Sequence, residues 1–174
     1  MHRPTVLSLV AAIALFAGAT ICVSPTARAD DVVYRIVNKH SGQCLEVFSS
    51  STANGATVDQ WTCNHTATQQ WFLVDHGLGD YGDSISLVNA NSGKCLEVYY
   101  SSLANGAKVD QWTCNGTATQ TWLKGYGSDG YYGLTNLNSW KVLEVFSSST
   151  AKGAKVDQWT SNNTATQRWS IVRD

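Results

Sequence analysis

The sequence predicts an all-β fold: a β-trefoil of twelve strands, built from three repeats around a pseudo-threefold axis. Three observations lead there. One stretch of sequence recurs, as Glu46 to Asn64, Glu97 to Asn115 and Glu144 to Asn162, each time with Val-Asp-Gln-Trp-Thr inside it and a Gln-x-Trp after it (Gln69/Trp71, Gln120/Trp122, Gln167/Trp169). A period of about 50 residues is the mark of a repeat architecture. Helix signals are nearly absent, and the apolar residues come in short β-branched and aromatic runs broken by Asn-Gly, Lys-Gly and Ser-Gly pairs, which is turn chemistry. Finally, one such copy is too small to bury its own apolar face. An open stack of three would leave two raw sheet edges, and closure around an axis removes them. The result is a short barrel with a hairpin cap.

Each copy offers four strands. In the first they are Val33–Val37, Gln43–Phe48, Thr57–Trp61 and Gln70–Val74. In the second they are Ser84–Val88, Lys94–Tyr99, Lys108–Trp112 and Thr121–Lys124, and in the third Tyr131–Leu134, Lys141–Phe146, Lys155–Trp159 and Arg168–Val172. The repeats span about 31–77, 78–127 and 128–174 within one domain, residues 30–174. The block from the first cysteine position to the Gln-x-Trp keeps one length, while the link from Trp71 to Cys95 is longer than that from Trp122 to Val142. The length difference falls on the Gly/Asp-rich stretches Asp75–Asp83 and Gly125–Gly130, which therefore read as surface loops. Trp71, Trp122 and Trp169, with Leu45, Leu96 and Leu143, read as core; Phe48, Tyr99 and Phe146 also read as packing residues.

The N-terminus reads as a secretory signal, residues 1–29. His2 and Arg3 precede an apolar run from Val6 to Val23, and Ala27-Arg28-Ala29 is an A-x-A cleavage site. A membrane anchor is the other reading of such a run, but Ala, Gly and Thr dilute it and the cleavage site follows at once. The expectation is a secreted, extracellular protein with no membrane insertion after signal cleavage. Arg3 and Arg28 leave with the signal, so 10 of 12 Lys+Arg remain against all 13 Asp+Glu. No basic cluster remains to attract nucleic acid or an anionic membrane.

Cys44 and Cys63 have the same separation as Cys95 and Cys114, and the third copy replaces both positions, with Val142 and Ser161. Joint loss is what a disulfide within each copy predicts, since losing one partner alone would strand a thiol. Pairing of like cysteines across copies is the less economical alternative, and a zinc site lacks the CxxC spacing. Each disulfide would close a loop of about 20 residues, a stabilisation of about 3 kcal/mol in the chain-entropy model.

A sugar presents neighbouring hydroxyls at its edge and C–H groups on its faces. A carboxylate accepts the first through charge-assisted bonds, and an aromatic ring covers the second. Every copy places a Glu, an Asp and a Trp within one block. The whole pattern, Cys-Leu-Glu-Val, then Asn-Gly-x-x-Val-Asp-Gln-Trp-Thr-Cys-Asn, then Gln-x-Trp, resembles the ricin-type β-trefoil lectins, above all the bacterial branch counted among family 13 carbohydrate-binding modules. The resemblance covers essentially the whole chain after the signal. It implies one shallow sugar site per copy: Glu46, Asp59, Trp61, Asn64, Thr68 and Gln69; Glu97, Asp110, Trp112, Asn115, Thr119 and Gln120; Glu144, Asp157, Trp159, Asn162, Thr166 and Gln167. Three positions depart from the family pattern in every copy. The family's key Asp is Glu, the Gln before the aromatic is Asp, and the Asn before the final Gln is Thr. An extra methylene moves the key carboxylate by about 1.5 Å, enough to alter which hydroxyl pair it meets.

Other roles are open for several of these residues. The Gln of each Gln-x-Trp can equally bond the hairpin backbone, and Asn64, Asn115 and Asn162 can form turns as well as touch hydroxyls. They also begin Asn-x-Thr sequons, which matter only in a glycosylating host. Trp140 stands where the other copies have Gly42 and Gly93, and is either an extra exposed platform or a plug for the absent disulfide. His40, His65 and His76 do not recur as a group and read as surface residues. A glycosidase uses two carboxylates in one cleft; here the pair is triplicated, and no nucleophile, metal or phosphate-loop motif accompanies it. The expectation is a monomeric, non-enzymatic lectin without metal or cofactor, binding a polysaccharide or cell-surface glycan of galactose or xylose type. The alternative is a trefoil used as a protein-interaction or inhibitor module through Asp75–Asp83.

Overall fold

A computed structural model describes residues 32–174. The expected signal segment and its cleavage site lie outside the described residues. Twelve strands run in chain order: β1 Val33–Asn38, β2 Cys44–Val47, β3 Ala56–Trp61, β4 Trp71–Gly79, β5 Gly82–Asn89, β6 Cys95–Val98, β7 Ala107–Trp112, β8 Trp122–Tyr126, β9 Tyr132–Asn136, β10 Val142–Val145, β11 Ala154–Trp159 and β12 Trp169–Arg173. The only helical pieces among the described residues are six short 3₁₀ turns, such as Phe48–Ser50 and Ala67–Gln69.

Two layers result. β1, β4, β5, β8, β9 and β12 pair in a closed ring, each antiparallel to its neighbours, and form the barrel. The hairpins β2–β3, β6–β7 and β10–β11 form the cap, where β3, β7 and β11 pair with one another around the axis. A closed ring exposes no unpaired edge, which answers the problem a single copy faces. The core is one cluster: Ile36, Ile85, Leu87 and Leu134 from the barrel, the Leu-Val and Val residues of the cap hairpins, and Trp71, Trp122 and Trp169. These tryptophans are fully buried, and each indole N–H has a partner: Trp71 donates to the Leu45 carbonyl at 3.1 Å, Trp122 to Leu96 at 3.1 Å and Trp169 to Leu143 at 2.9 Å. Buried indoles need that partner, because an orphaned N–H costs about 1–3 kcal/mol.

The copies are tied in a cycle by three buried asparagines. The Asn38 amide donates to the Thr166 carbonyl, Asn89 to Thr68 and Asn136 to Thr119, at 2.9, 2.9 and 2.8 Å. Their Oδ1 atoms accept from the backbone of the turn that follows, as at His40 and Ser41. Disulfides link Cys44 to Cys63 and Cys95 to Cys114, each across a Cα separation of 5.1 Å.

Three local expectations are corrected. Most of Asp75–Asp83 is strand, not loop: β4 runs to Gly79 and β5 starts at Gly82, with a register slip between Asp75 and Leu78. A hairpin ladder needs only backbone bonds, so Gly/Asp composition did not end it. Gly125–Gly130 likewise begins inside β8, and the turn itself closes from Gly127 to Gly130. Phe48, Tyr99 and Phe146 start the 3₁₀ turns instead of ending a strand, and are 53%, 37% and 50% exposed, so they are not core packing.

Candidate functional site

Register assembles the site. In the β2–β3 hairpin Cys44 faces Trp61, Leu45 faces Gln60, Glu46 faces Asp59 and Val47 faces Val58. Side chains alternate across a strand, so Glu46, Asp59 and Trp61 share the outward face while Leu45, Val47, Val58 and Gln60 point inward. The same pairing joins Glu97 to Asp110 beside Trp112, and Glu144 to Asp157 beside Trp159. Trp61, Trp112 and Trp159 are each 38% exposed, the identical partial exposure of three rings held by one geometry. Of the residues expected at the sites, this trio shares one face of each hairpin, where the Trp ring is open and the Asp carboxylates are buried, at 2%, 0% and 4% exposure for Asp59, Asp110 and Asp157.

The expected Gln, Asn and Thr stand behind that face. Gln69 Nε2 donates to Glu46 Oε2 at 2.7 Å and to the Thr62 carbonyl at 3.0 Å, while its Oε1 accepts from the Asn64 backbone at 2.9 Å. Gln120 and Gln167 repeat this with Glu97, Thr113 and Asn115, and with Glu144, Thr160 and Asn162. Both Nε2 protons are used, so this glutamine orients the Glu and supports the hairpin. Asn64, Asn115 and Asn162 accept through Oδ1 from the backbone and hydroxyl of the threonine two residues on, which makes the turn. Thr68, Thr119 and Thr166 are buried, each within 2.8 Å of that same threonine hydroxyl.

Each site lies on a seam between copies. Gly55 N–H donates to the Gln111 carbonyl, Gly106 to Gln158 and Gly153 to Gln60, all at 2.8 Å. The amides of those glutamines return the bond: Gln111 reaches the Ser51 and Ala53 carbonyls, Gln158 reaches Ser102 and Ala104, and Gln60 reaches Ser149 and Ala151. The loop of one copy thus walls the site of the next. These glycines have φ between 75° and 78°, and a Cβ there would sit 3.6–3.8 Å from the Trp ring. One seam differs. Asn54 Oδ1 accepts from the Thr113 backbone and hydroxyl, and Asn105 from those of Thr160, but the third copy has Lys152, whose Nζ lies 5.9 Å from the centre of the Trp61 ring.

The carboxylates are electrostatically loaded. Burial raises Asp59 and Asp157 to about 7, and the charge of the facing Glu46 or Glu144 adds to it. Asp110 rises only to about 6, because the Lys108 ammonium, 3.4 Å away, opposes the burial. Glu46, Glu97 and Glu144 are raised as well by burial, with the Gln bond acting against it. Asp157 has no hydrogen-bond partner on either carboxylate oxygen among the described residues, Asp59 and Asp110 have none on Oδ1, and Asp110 Oδ2 meets only the Lys108 ammonium at 3.4 Å. Each site therefore holds buried acceptors whose capacity is unused, next to an open aromatic face. That combination suits a ligand rich in hydroxyl and C–H groups.

Two sets of residues escaped the sequence reading. Phe146 lines a cavity of about 260 Å³ with Gly106, Lys108, Lys155 and Asp157, and Tyr99 lies under the Lys108 ammonium, 4.9 Å from its ring centre. The signal was an aromatic recurring two residues after the Glu. Gln60, Gln111 and Gln158, the locks of the seams, recur in every Val-Asp-Gln-Trp and were equally visible. The histidines remain apart: His65 meets Asp174 at 2.6 Å and His76 meets Ser86 at 2.9 Å. Among the described residues no group of three or more His, Cys, Asp or Glu could hold a metal, and no helix is long and apolar enough to cross a membrane.

The model of one family, described as ricin-type beta-trefoil lectin domain-like, matches residues 23–112, 79–125 and 118–174. No match was found among curated proteins. Among solved structures, ThreeFoil, a designed 3-fold symmetric protein, is 39% identical, with a TM-score of 0.76 over 80% of this chain and 97% of its own. The exo-beta-1,3-galactanase 1,3Gal43A from Clostridium thermocellum is 36% identical, with a TM-score of 0.78 over 84% of this chain, which spans only 31% of that enzyme. The Rhizoctonia solani agglutinin shares the fold at 18% identity, with a TM-score of 0.71 over 86% of this chain and 99% of its own. The chain therefore belongs to the ricin-type β-trefoil lectin domain-like family.

Proposed function

We propose that the protein is a secreted, non-catalytic carbohydrate-binding protein that engages glycans or polysaccharides through up to three equivalent shallow sites. The observation that carries this is the Glu–Asp–Trp trio on one face of each hairpin, repeated at three seams with an Asp Oδ1 that has no hydrogen-bond partner beside a half-open indole face. The Trp covers a sugar C–H face, and the carboxylates accept its hydroxyls. The glutamine behind each Glu fixes the carboxylate before the ligand arrives, which lowers the ordering cost of binding. The same carboxylate pair recurs at every seam instead of flanking one cleft, which argues against hydrolysis.

Single shallow sites bind weakly. Three on one rigid body act together on a polymer, where avidity can rise by roughly 10²–10⁴. Glu in place of the family's Asp moves the acceptor, so the sugar need not be the family's usual galactose. A galactan is still the first polymer to try, because a relative 36% identical over this domain is an exo-beta-1,3-galactanase. The test is retention of the chain from Asp30 to Asp174 on immobilised galactan, xylan, β-glucan and chitin, with and without Glu97→Ala. One polymer class is expected to retain the chain, free sugar to compete, and Glu97→Ala to weaken retention; retention of Glu97→Ala equal to that of the wild type would remove the carboxylate assignment.

A further inference from the structure

Trp140 breaks the threefold pattern. It occupies the turn between β9 and β10 where the other copies have Gly42 and Gly93, and all three positions lie in the left-handed region, with φ of 59°, 68° and 66°. Glycine adopts that conformation freely, but a tryptophan there is strained, and such strain is found where function retains it. Burial does not account for it, because Trp140 is 52% exposed. Its ring instead meets Tyr81, with centres 4.9 Å apart and planes at 78°. Tyr81 is 65% exposed at the tip of the β4–β5 hairpin, the longest strand pair in the fold. A left-handed tryptophan that the other two copies replace by glycine and the longest hairpin of the fold thus converge on one open, right-angled aromatic corner.

We propose that this corner is a fourth saccharide subsite, lying outside the three hairpin sites and holding one ring of a polysaccharide chain. It rests on the carbohydrate-binding reading above. One aromatic face takes the C–H face of the sugar, while the hydroxyl of the exposed Tyr81 is available to a sugar hydroxyl. The size of the corner favours a sugar over a protein. Two aromatic side chains offer roughly 150–250 Å² each, well below the roughly 800 Å² per partner of a stable protein interface.

The test compares wild type, Trp140→Gly and Tyr81→Ala in three assays: retention on the best polysaccharide, binding of its free sugar at the hairpin sites, and thermal unfolding. Both variants should lose roughly tenfold or more in polymer retention while the hairpin sites still bind free sugar. Trp140→Gly should melt no lower than wild type, since it relieves strain. Wild-type polymer retention in both variants, with the hairpin sites intact, overturns the subsite alone. So does a lower melting temperature for Trp140→Gly with Tyr81→Ala harmless, which would make Trp140 a plug. A partner protein lost on trimming the hairpin tip, with polymer retention unchanged, overturns it in favour of protein docking. A wild-type chain that binds no saccharide overturns the hairpin-site reading and the subsite with it.

Discussion

Each copy carries two tryptophans ten residues apart with opposite fates: Trp71, Trp122 and Trp169 are fully buried, whereas Trp61, Trp112 and Trp159 stay 38% exposed. Residue type cannot separate them, and register does. Trp61 ends β3 facing Cys44 on the outward side, while Trp71 opens β4 beneath the cap and donates to Leu45. The inner indole has its polar atom satisfied and its faces packed. The outer one keeps a face open beside two carboxylates that the fold leaves underused. The inner set holds the molecule together, and the outer set is what the molecule presents.

Substitutions should separate the two sets cleanly. The largest effect is expected from Trp122→Ala, which removes a buried indole and leaves a cavity: a loss of about 3–5 kcal/mol, read by chemical denaturation. Replacing Cys95 and Cys114 together by Ser should cost about 3 kcal/mol in the same assay, by freeing the unfolded chain. Gln120→Ala blurs the distinction, because it supports the fold and orients Glu97. It should lose about 1–3 kcal/mol of stability and also weaken sugar binding at the second site. Trp112→Ala should change stability by less than about 1 kcal/mol while weakening polymer retention.

A separate effect is on pH dependence. Asp157 is raised from 3.8 to about 7 by burial, so the folded chain holds a proton that the unfolded chain releases. Its contribution to stability is full below the unfolded value and is lost as pH rises through about 7. Asp157→Asn should therefore melt above wild type at pH 8, with the difference gone at pH 4. Where the ionised form accepts sugar hydroxyls, binding at the second site should survive to lower pH than at the other two, since Asp110 sits at about 6 and Asp59 and Asp157 at about 7.

Much of this was legible in the sequence. The repeat spacing pointed to the trefoil, the joint replacement of both cysteines by Val142 and Ser161 pointed to pairing within copies, and the Glu–Asp–Trp grouping pointed to one shared face of each hairpin. The rest depends on contacts between copies, which no local pattern records. Gln69 could bond a sugar or a backbone, and only the fold shows its amide committed to Glu46 and Thr62. The seam locks of Gln60, Gln111 and Gln158 join residues more than fifty positions apart. Asp75–Asp83 looked like a loop because Gly and Asp mark turns, but backbone pairing carried the strands through it. The meeting of Tyr81 and Trp140 could not be read from either neighbourhood.

The most direct test follows the indole N–H signals of all seven tryptophans by two-dimensional NMR during titration with the saccharide that the polymer assay selects. The account predicts that Trp61, Trp112 and Trp159 shift with ligand while Trp71, Trp122 and Trp169 stay in place. Saturable binding that leaves all three outer indoles unmoved would contradict it.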